Sequence, residues 1–371
     1  MVNYDELGPE KVLLVYDPKT KMKGFTVIDN TNLGPAKGGI RMTPSVTVEE
    51  VSKLARAMTL KNALAEIPFG GGKSGIVADN SKLTKENKDK LITAFGKALK
   101  EVCPSRYVAA PDMYMGEHEM KVFAKAVGHI DACTGKPKDI CEGYKCGIPH
   151  ELGSTGYGVA RSAKVAVEHT GLDMKKITFG IEGFGNVGSF AAKFLLEMGA
   201  KFVAASDSKG ALYNEKGISY DDAVGVKKEG RCIVHCDKTK EIPKEKFFEM
   251  DMDLMITASV PDVIHEENYK KVKAKIIVQG SNIPMTYDVE EKLFEKGVII
   301  VPDIIANAGG VISSYMEYAG MDVKELFPTI ERKIEPNTRL VLERSKENKV
   351  SARKAALAIA EERVKNAKRF M

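Results

Sequence analysis

Two lysines stand twelve positions apart in the stretch KNALAEIPFGGGKSG (61–75), Lys61 near its start and Lys73 directly after three glycines. The surrounding residues read as buried, and a desolvated ammonium loses hydration free energy unless it gains a carboxylate partner or shifts its pKa. A lysine so placed can hold an anion or act as a general base near neutral pH. Taken by itself, Lys61 is read more simply as a side chain whose stem lies along the core while its head reaches water.

A second cluster is GFGNVG (183–188). Gly183, Gly185 and Gly188 follow an apolar strand-like run and open an amphipathic helical one, and Asp207 ends the next strand-like run. That is the context of a dinucleotide fingerprint. The glycines let backbone approach a pyrophosphate, Asn186 and Val187 begin a helix with free N–H groups, and the acidic residue accepts from an adenosine ribose hydroxyl. The motif points to NAD or NADP without choosing. The charge of Asp207 opposes a second phosphate, whereas Ser208 and Lys209 can hold one.

Two further groups have metal-ligand residue types: Cys141, Cys146 and His150 in CEGYKCGIPH, and Cys232, His235 and Cys236 in CIVHC. Neither has paired CxxC spacing, so thiols of a reducing compartment are expected instead of zinc.

These residues need elements to position them. In the first 150 residues, KVLLVYD, GFTVID, SGIVAD and RYVAAPD read as strands. A helix is expected over 47–67, opened by a Thr47/Glu50 capping box, with Leu54, Met58, Lys61 and Ala65 on its apolar face and Lys53 and Arg56 toward water. From about 154 the pattern becomes strand–helix alternation, which predicts a parallel sheet covered on both faces. The strands are expected at KKITFGIE, AKFVAASD, DLMITAS, KIIVQGSN and GVIIVPD. Another helix starts at the glycine pair of NAGGVISSYMEYAG (307–320), and a charged helical tail from 322 is expected to break at Pro328 and Pro336.

The chain has 371 residues, 43% hydrophobic and 29% charged, which suits two globular domains. A net charge of +5 without a basic stripe interleaved with aromatics gives no expectation of nucleic acid. The polar, acidic start MVNYDELGPEK does not read as a secretory signal, and no apolar run is long enough for a membrane helix, so a cytoplasmic protein is expected.

Several blocks in order carry a resemblance: GPAKGGIRM (34–42), MTLKNALAEIPFGGGKSG (58–75), APDM (110–113), STGYGV (154–159), GFGNVG, and PDIIANAGGVISS (302–314). Across nearly the whole chain the sequence resembles the amino-acid dehydrogenases that act on glutamate, leucine, phenylalanine or valine. The resemblance implies an α/β fold of two domains separated by a cleft. Residues 1–150 would form a substrate and dimerisation domain and 151–329 a Rossmann-type doubly wound dinucleotide domain, with helices over 330–371 returning to the first. It also implies a homo-oligomer, a hexamer or another assembly.

Mapped onto this chain, the resemblance makes Lys61 the holder of the substrate α-carboxylate and Lys73 the catalytic lysine, beside a glycine-rich turn. Asp112 would exchange protons with the amino group. Thr155, Asn282 and Asn307 would lie near the nicotinamide or the substrate. Hydride would leave the α-carbon for NAD or NADP, water would add to the iminium, and ammonia would leave. Lys37 and Ser314 occupy the positions at which glutamate-acting members carry Lys and Ser to bind the side-chain carboxylate, so the expected reaction interconverts L-glutamate with 2-oxoglutarate and ammonium. An unpaired buried Lys37 would oppose an apolar substrate.

Other features resemble the leucine and phenylalanine enzymes, notably the short region before GPA. QGSNIPMT, MITASVPDVI and Glu151 also depart from the commoner glutamate pattern. A leucine-, valine- or phenylalanine-type enzyme is therefore the alternative, and a non-catalytic nucleotide-binding regulatory protein a third.

Overall fold

The computed structural model describes residues 2–142, 145–148, 152–236 and 239–367. His150 and Glu151 lie outside them, as do the side chains of Cys141 and Cys146. The chain divides into two units. One comprises Met1–Leu152, Val311–Leu326 and Ile359–Met371, and the other Gly153–Gly310 and Phe327–Ala358.

The first unit is built on strands β1 (Lys11–Asp17), β2 (Met22–Asn30), β3 (Ala36–Thr43), β4 (Gly70–Val77) and β5 (Tyr107–Ala110), in spatial order β1-β2-β4-β3-β5. The β1–β2 and β2–β4 pairs are antiparallel, whereas β3 runs parallel to both β4 and β5. Helices α1 (Val48–Leu64), α2 (Lys85–Ala98) and α3 (Glu117–Val127) cover it, and a small hairpin, β6 (Cys141–Glu142) and β7 (Lys145–Cys146), follows. Ile40, Met42, Phe95, Tyr107 and Phe123 form the core on one side.

One segment with no expected element gains one, and three local expectations for this unit change. GPAKGGIRM supplies β3, an inner strand, although its glycines lower strand propensity; burial between β4 and β5 outweighs that preference. The glycine triplet before Lys73 is strand β4 and not a turn. A Cβ at Gly71 would lie 2.0 Å from Thr59 Oγ1, so the triplet lets α1 press directly on the sheet. That contact sets the rotation of α1. Its buried face is Val51, Ala55, Thr59, Asn62 and Ala63, while Leu54, Met58 and Lys61 lie half-buried at the border. Arg56 does not point to water: its guanidinium lies 2.9 Å from Asp29 and 2.6 Å from Asp5.

The second unit holds β8 (Thr178–Glu182), β9 (Lys201–Ser206), β10 (Ala211–Tyr213), β11 (Lys240–Ile242), β12 (Leu254–Thr257), β13 (Ile276–Gln279) and β14 (Ile299–Val301), in order β11-β10-β9-β8-β12-β13-β14. The run from β9 to β14 is parallel, and β10 and β11 add an antiparallel edge. Helices α4 (Ser154–His169), α5 (Asn186–Glu197), α6 (Tyr220–Lys228), α7 (Tyr287–Glu295) and α8 (Asp303–Ala306) complete a doubly wound α/β layer structure. Strand order reverses between β8 and β12, which puts the ligand crevice of such a sheet at their C-terminal ends.

The chain ends with α9 (Gly309–Ala319), α10 (Leu326–Asn348) and α11 (Ala352–Asn366). No break occurs at Pro328 or Pro336. Pro328 lies in the first turn of α10, where its missing N–H costs nothing, and Pro336 is carried through the interior by buried Ile334, Val341 and Leu342 on either side. Arg353 binds Glu290, Asp303 and Gln279 within the second unit, and Arg363 pairs with Glu66 within the first. Among the described residues, no helix is long and apolar enough to cross a membrane.

Candidate active site

Strand alternation puts Lys37, Gly39 and Arg41 on one face of β3. Over Gly39 two neighbours meet: Lys73 from β4 and Asp112 from just beyond β5, with Nζ 2.6 Å from Oδ2. A Cβ at Gly39 would lie 2.7 Å from Asp112 Cβ and 3.2 Å from Lys73 Nζ, so only glycine leaves room for the pair. Arg41 supplies Asp112 with a second cation, its Nε 3.2 Å from Oδ2 and Nη2 3.4 Å from Oδ1. Glu50 holds the other end of that guanidinium at 2.5 Å. This is where the expected capping box departs: Thr47 caps Glu50 N, but the Glu50 carboxylate goes to Arg41.

Electrostatics separate the roles of the pair. Burial pulls the Lys73 ammonium below the ordinary lysine value despite the carboxylate against it. Asp112 is pushed up by burial, yet Lys73 and Arg41 outweigh this and hold it below the ordinary carboxylate range. A lysine that releases its proton readily thus sits beside a carboxylate that stays anionic.

Lys37 is buried, with 2% of its surface exposed. Its Nζ donates to Ala109 O and Thr134 Oγ1, both at 2.7 Å, which leaves one of its three donors over. Both acceptors are neutral, and no described carboxylate lies within ion-pair distance of it. Burial lowers its pKa to about 7. Ser314 lies half-buried on α9 in the same unit. Lys61 is in the last turn of α1.

In the second unit the fingerprint glycines fall as the motif requires. Gly183 has φ +92°, Gly185 faces open space, and a Cβ at Gly188 would lie 2.2 Å from Gly183 O, closing α5 onto β8. Asn186 and Val187 begin α5. At the C-terminal ends of β8, β12 and β13, Glu182 Oε2, Thr257 Oγ1 and Ser281 Oγ are buried without a hydrogen-bond partner among the described residues. Such orphaned polar atoms fit a site for a polar cofactor. Of the three, Glu182 also lines a cavity of about 340 Å³, together with Ser206, Lys244, Phe248 and His265.

Asn307 Nδ2 donates to Asn282 Oδ1 at 2.9 Å and to Gly280 O at 3.3 Å, so these two candidates meet. Thr155 stands at the start of α4, where a Cβ at Gly310 would lie 2.9 Å from its hydroxyl. Asp207 is committed to its own chain. Its carboxylate accepts from Lys227 Nζ at 2.8 Å, from the N–H groups of Ile233, Lys209 and Gly210, and from Cys232 Sγ. Burial raises its pKa, but these donors outweigh it and the net shift is downward. Ser208 is exposed. Cys232 and Cys236 are buried, and among the described residues no group of three or more His, Cys, Asp or Glu is placed to hold a metal ion.

Sequence reasoning missed Arg41, Thr134, Lys136 and Glu317. Arg41 carried a signal, four positions from Lys37 on one strand face. The other three lie in a turn and a distant helix, and no spacing links them.

Residues 9–129 match the family model described as Glu/Leu/Phe/Val dehydrogenase, dimerisation domain. Residues 146–371 match the one described as Glutamate/Leucine/Phenylalanine/Valine dehydrogenase. A glutamate dehydrogenase from Aeropyrum pernix is 35% identical, covering 98% of this chain and 90% of that protein. An NADP-specific glutamate dehydrogenase from Saccharolobus shibatae is 39% identical over 84% of this chain and 76% of its own length. The crystal structure of glutamate dehydrogenase from Peptoniphilus asaccharolyticus is similar with a TM-score of 0.85 at 26% identity, covering 97% of this chain and 91% of that one. The chain belongs to the Glu/Leu/Phe/Val dehydrogenase family, the NAD(P)-dependent amino-acid dehydrogenases.

Proposed function

We propose that this protein catalyses the reversible oxidative deamination of L-glutamate to 2-oxoglutarate and ammonium with NAD or NADP. The observation that carries the choice of amino acid is Lys37. A buried ammonium with only neutral acceptors is costly unless an anion arrives to pair with it, and a side-chain carboxylate does so where an isobutyl group would not. The names of the relatives support the same substrate.

Bound NAD or NADP supplies the hydride acceptor. Lys61 holds the α-carboxylate, and Lys37 with Ser314 holds the side-chain carboxylate. Lys73 takes a proton from the water that attacks the iminium carbon, a task suited to its lowered pKa. Asp112, kept anionic by Arg41 and Lys73, exchanges protons with the departing nitrogen. Asn307, Asn282 and Thr155 orient the reacting groups on the cofactor side. Gly183, Gly185, Asn186, Val187 and Gly188 bind the pyrophosphate. Asp207 and Ser208 shape the adenosine end, Asp207 by bracing the turn after β9.

Assembly as a homo-oligomer in the cytoplasm belongs to the same proposal. The oligomer is supported by the dimerisation-domain match and by β1, an edge strand from which Leu14 and Tyr16 project at 72% and 59% exposure. The test is a panel of L-amino acids with each nicotinamide, followed by reduced-cofactor absorbance. Glutamate should lead leucine, phenylalanine and valine by a wide margin; a lead for any of those three overturns the assignment.

A further inference from the structure

Glu317, which the mechanism above does not use, is buried in the first unit with 4% of its surface exposed. It lies three positions after Ser314 on α9, and residues so spaced share a helix face. Its Oε2 accepts from the N–H groups of Gly135 at 3.0 Å and Ile148 at 3.3 Å, and its Oε1 accepts from Lys136 Nζ at 2.7 Å. Lys136 is equally buried and also donates to Cys133 O.

The clamped segment leads straight to Lys37. Thr134 donates its N–H to Ala109 O at 3.0 Å, and its hydroxyl accepts from Lys37 Nζ. Gly135, at φ +70°, packs so closely on Pro111 that a Cβ would lie 2.4 Å from its ring. One carboxylate therefore ties the helix that carries Ser314 to the turn that carries the acceptor of Lys37.

Charge accounting points the same way. Lys136 and Glu317 neutralise each other, which leaves Lys37 as one uncompensated buried cation. The charged and ionisable groups acting on it are Cys133, Glu317, Lys136 and Lys73. Lys73 is paired with Asp112, so Lys37 is the charge left over, and a single negative side-chain charge balances it where an uncharged side chain does not.

We propose that Glu317 is a positioning residue that sets selectivity for an amino acid with an anionic side chain, by holding Ser314 and the Lys37–Thr134 pair in register. This rests on the reading of glutamate as substrate.

The test compares L-glutamate with L-2-aminopentanoate, which replaces the side-chain carboxylate by a methyl group, in wild type and Glu317→Gln. The glutamine should lower the preference for glutamate about tenfold or more through a higher glutamate KM, with kcat little changed. Lower pH should partly restore it by recharging Lys37, and Glu317→Asp should retain more of the preference. A folded Glu317→Gln protein with unchanged preference, or with equal losses on both substrates, overturns the proposal. If that variant does not fold, Lys136→Met is judged by the same ratio, since it frees Glu317 to neutralise Lys37 and should also lower the preference. Wild type that does not prefer glutamate refutes the substrate reading itself; a preference that survives both substitutions refutes only the role of Glu317.

Discussion

Lys73 Nζ lies 2.6 Å from Asp112 Oδ2 across the bare backbone of Gly39, on a sheet where β3 supplies the floor and its two neighbours supply the pair. Neither residue is near the other in sequence. Their contact depends on β3 being sandwiched between β4 and β5, and on Arg41 sharing the carboxylate.

The pair should carry the chemical step. Lys73→Ala and Asp112→Asn are each expected to lower kcat by about 10²–10⁴-fold. The Kd for reduced cofactor, read by fluorescence titration, should stay near wild type. Unimpaired turnover in either variant would remove that residue from the mechanism.

Gly39→Ala tests the floor. Its backbone is ordinary, so the expected damage is steric: the methyl group would meet Asp112 Cβ at 2.7 Å and separate the pair. A displacement of about 1 Å in a catalytic group can cost on the order of 10²-fold in rate. Steady-state kinetics with a folded variant decides the matter, and full activity would mean that the pair tolerates separation.

Lys37 should leave a signature in stability. Its pKa is about 7 in the folded, ligand-free protein against an ordinary 10.5. Between these values the unfolded chain binds a proton that the folded one lacks, so this residue's contribution to stability rises with pH across that window. Below about pH 7 both states are protonated and the burial penalty is felt in full. Lys37→Met should therefore exceed wild type in Tm most at about pH 6, with the advantage shrinking toward about pH 10. A difference that does not vary with pH would contradict a titrating buried Lys37.

Asp207 is engaged by its own turn and by α6, so its charge is quenched within the protein. Asp207→Asn should lower Tm, because Lys227 loses its partner, while the ratio of NADH to NADPH dissociation constants stays nearly constant. A large shift of that ratio toward NADPH would show that the carboxylate does discriminate against a 2′-phosphate.

Long-period signals were legible in the sequence alone. The doubly wound half announced itself through alternating apolar runs and helices, and the fingerprint glycines kept their positions because each answers a local backbone need. Lys37, Lys73 and Asp112 could be named from ordered blocks. What misled was local preference: the glycines of β4 suggested a turn, and Pro336 suggested a break in α10. Each yielded to packing that local propensity does not encode.

Residue types and their order were thus sufficient for the class of chemistry and for naming candidate participants, since motifs for backbone approach and charge lie within a few positions of each other. Which carboxylate pairs with which cation was decided only in three dimensions. Glu50 reached Arg41 instead of capping its helix, Asp207 turned to Lys227, and Glu317 closed on Lys136 from 181 residues away. The reason is that an ion's partner is set by burial and distance, and both of those come from the packing of distant segments.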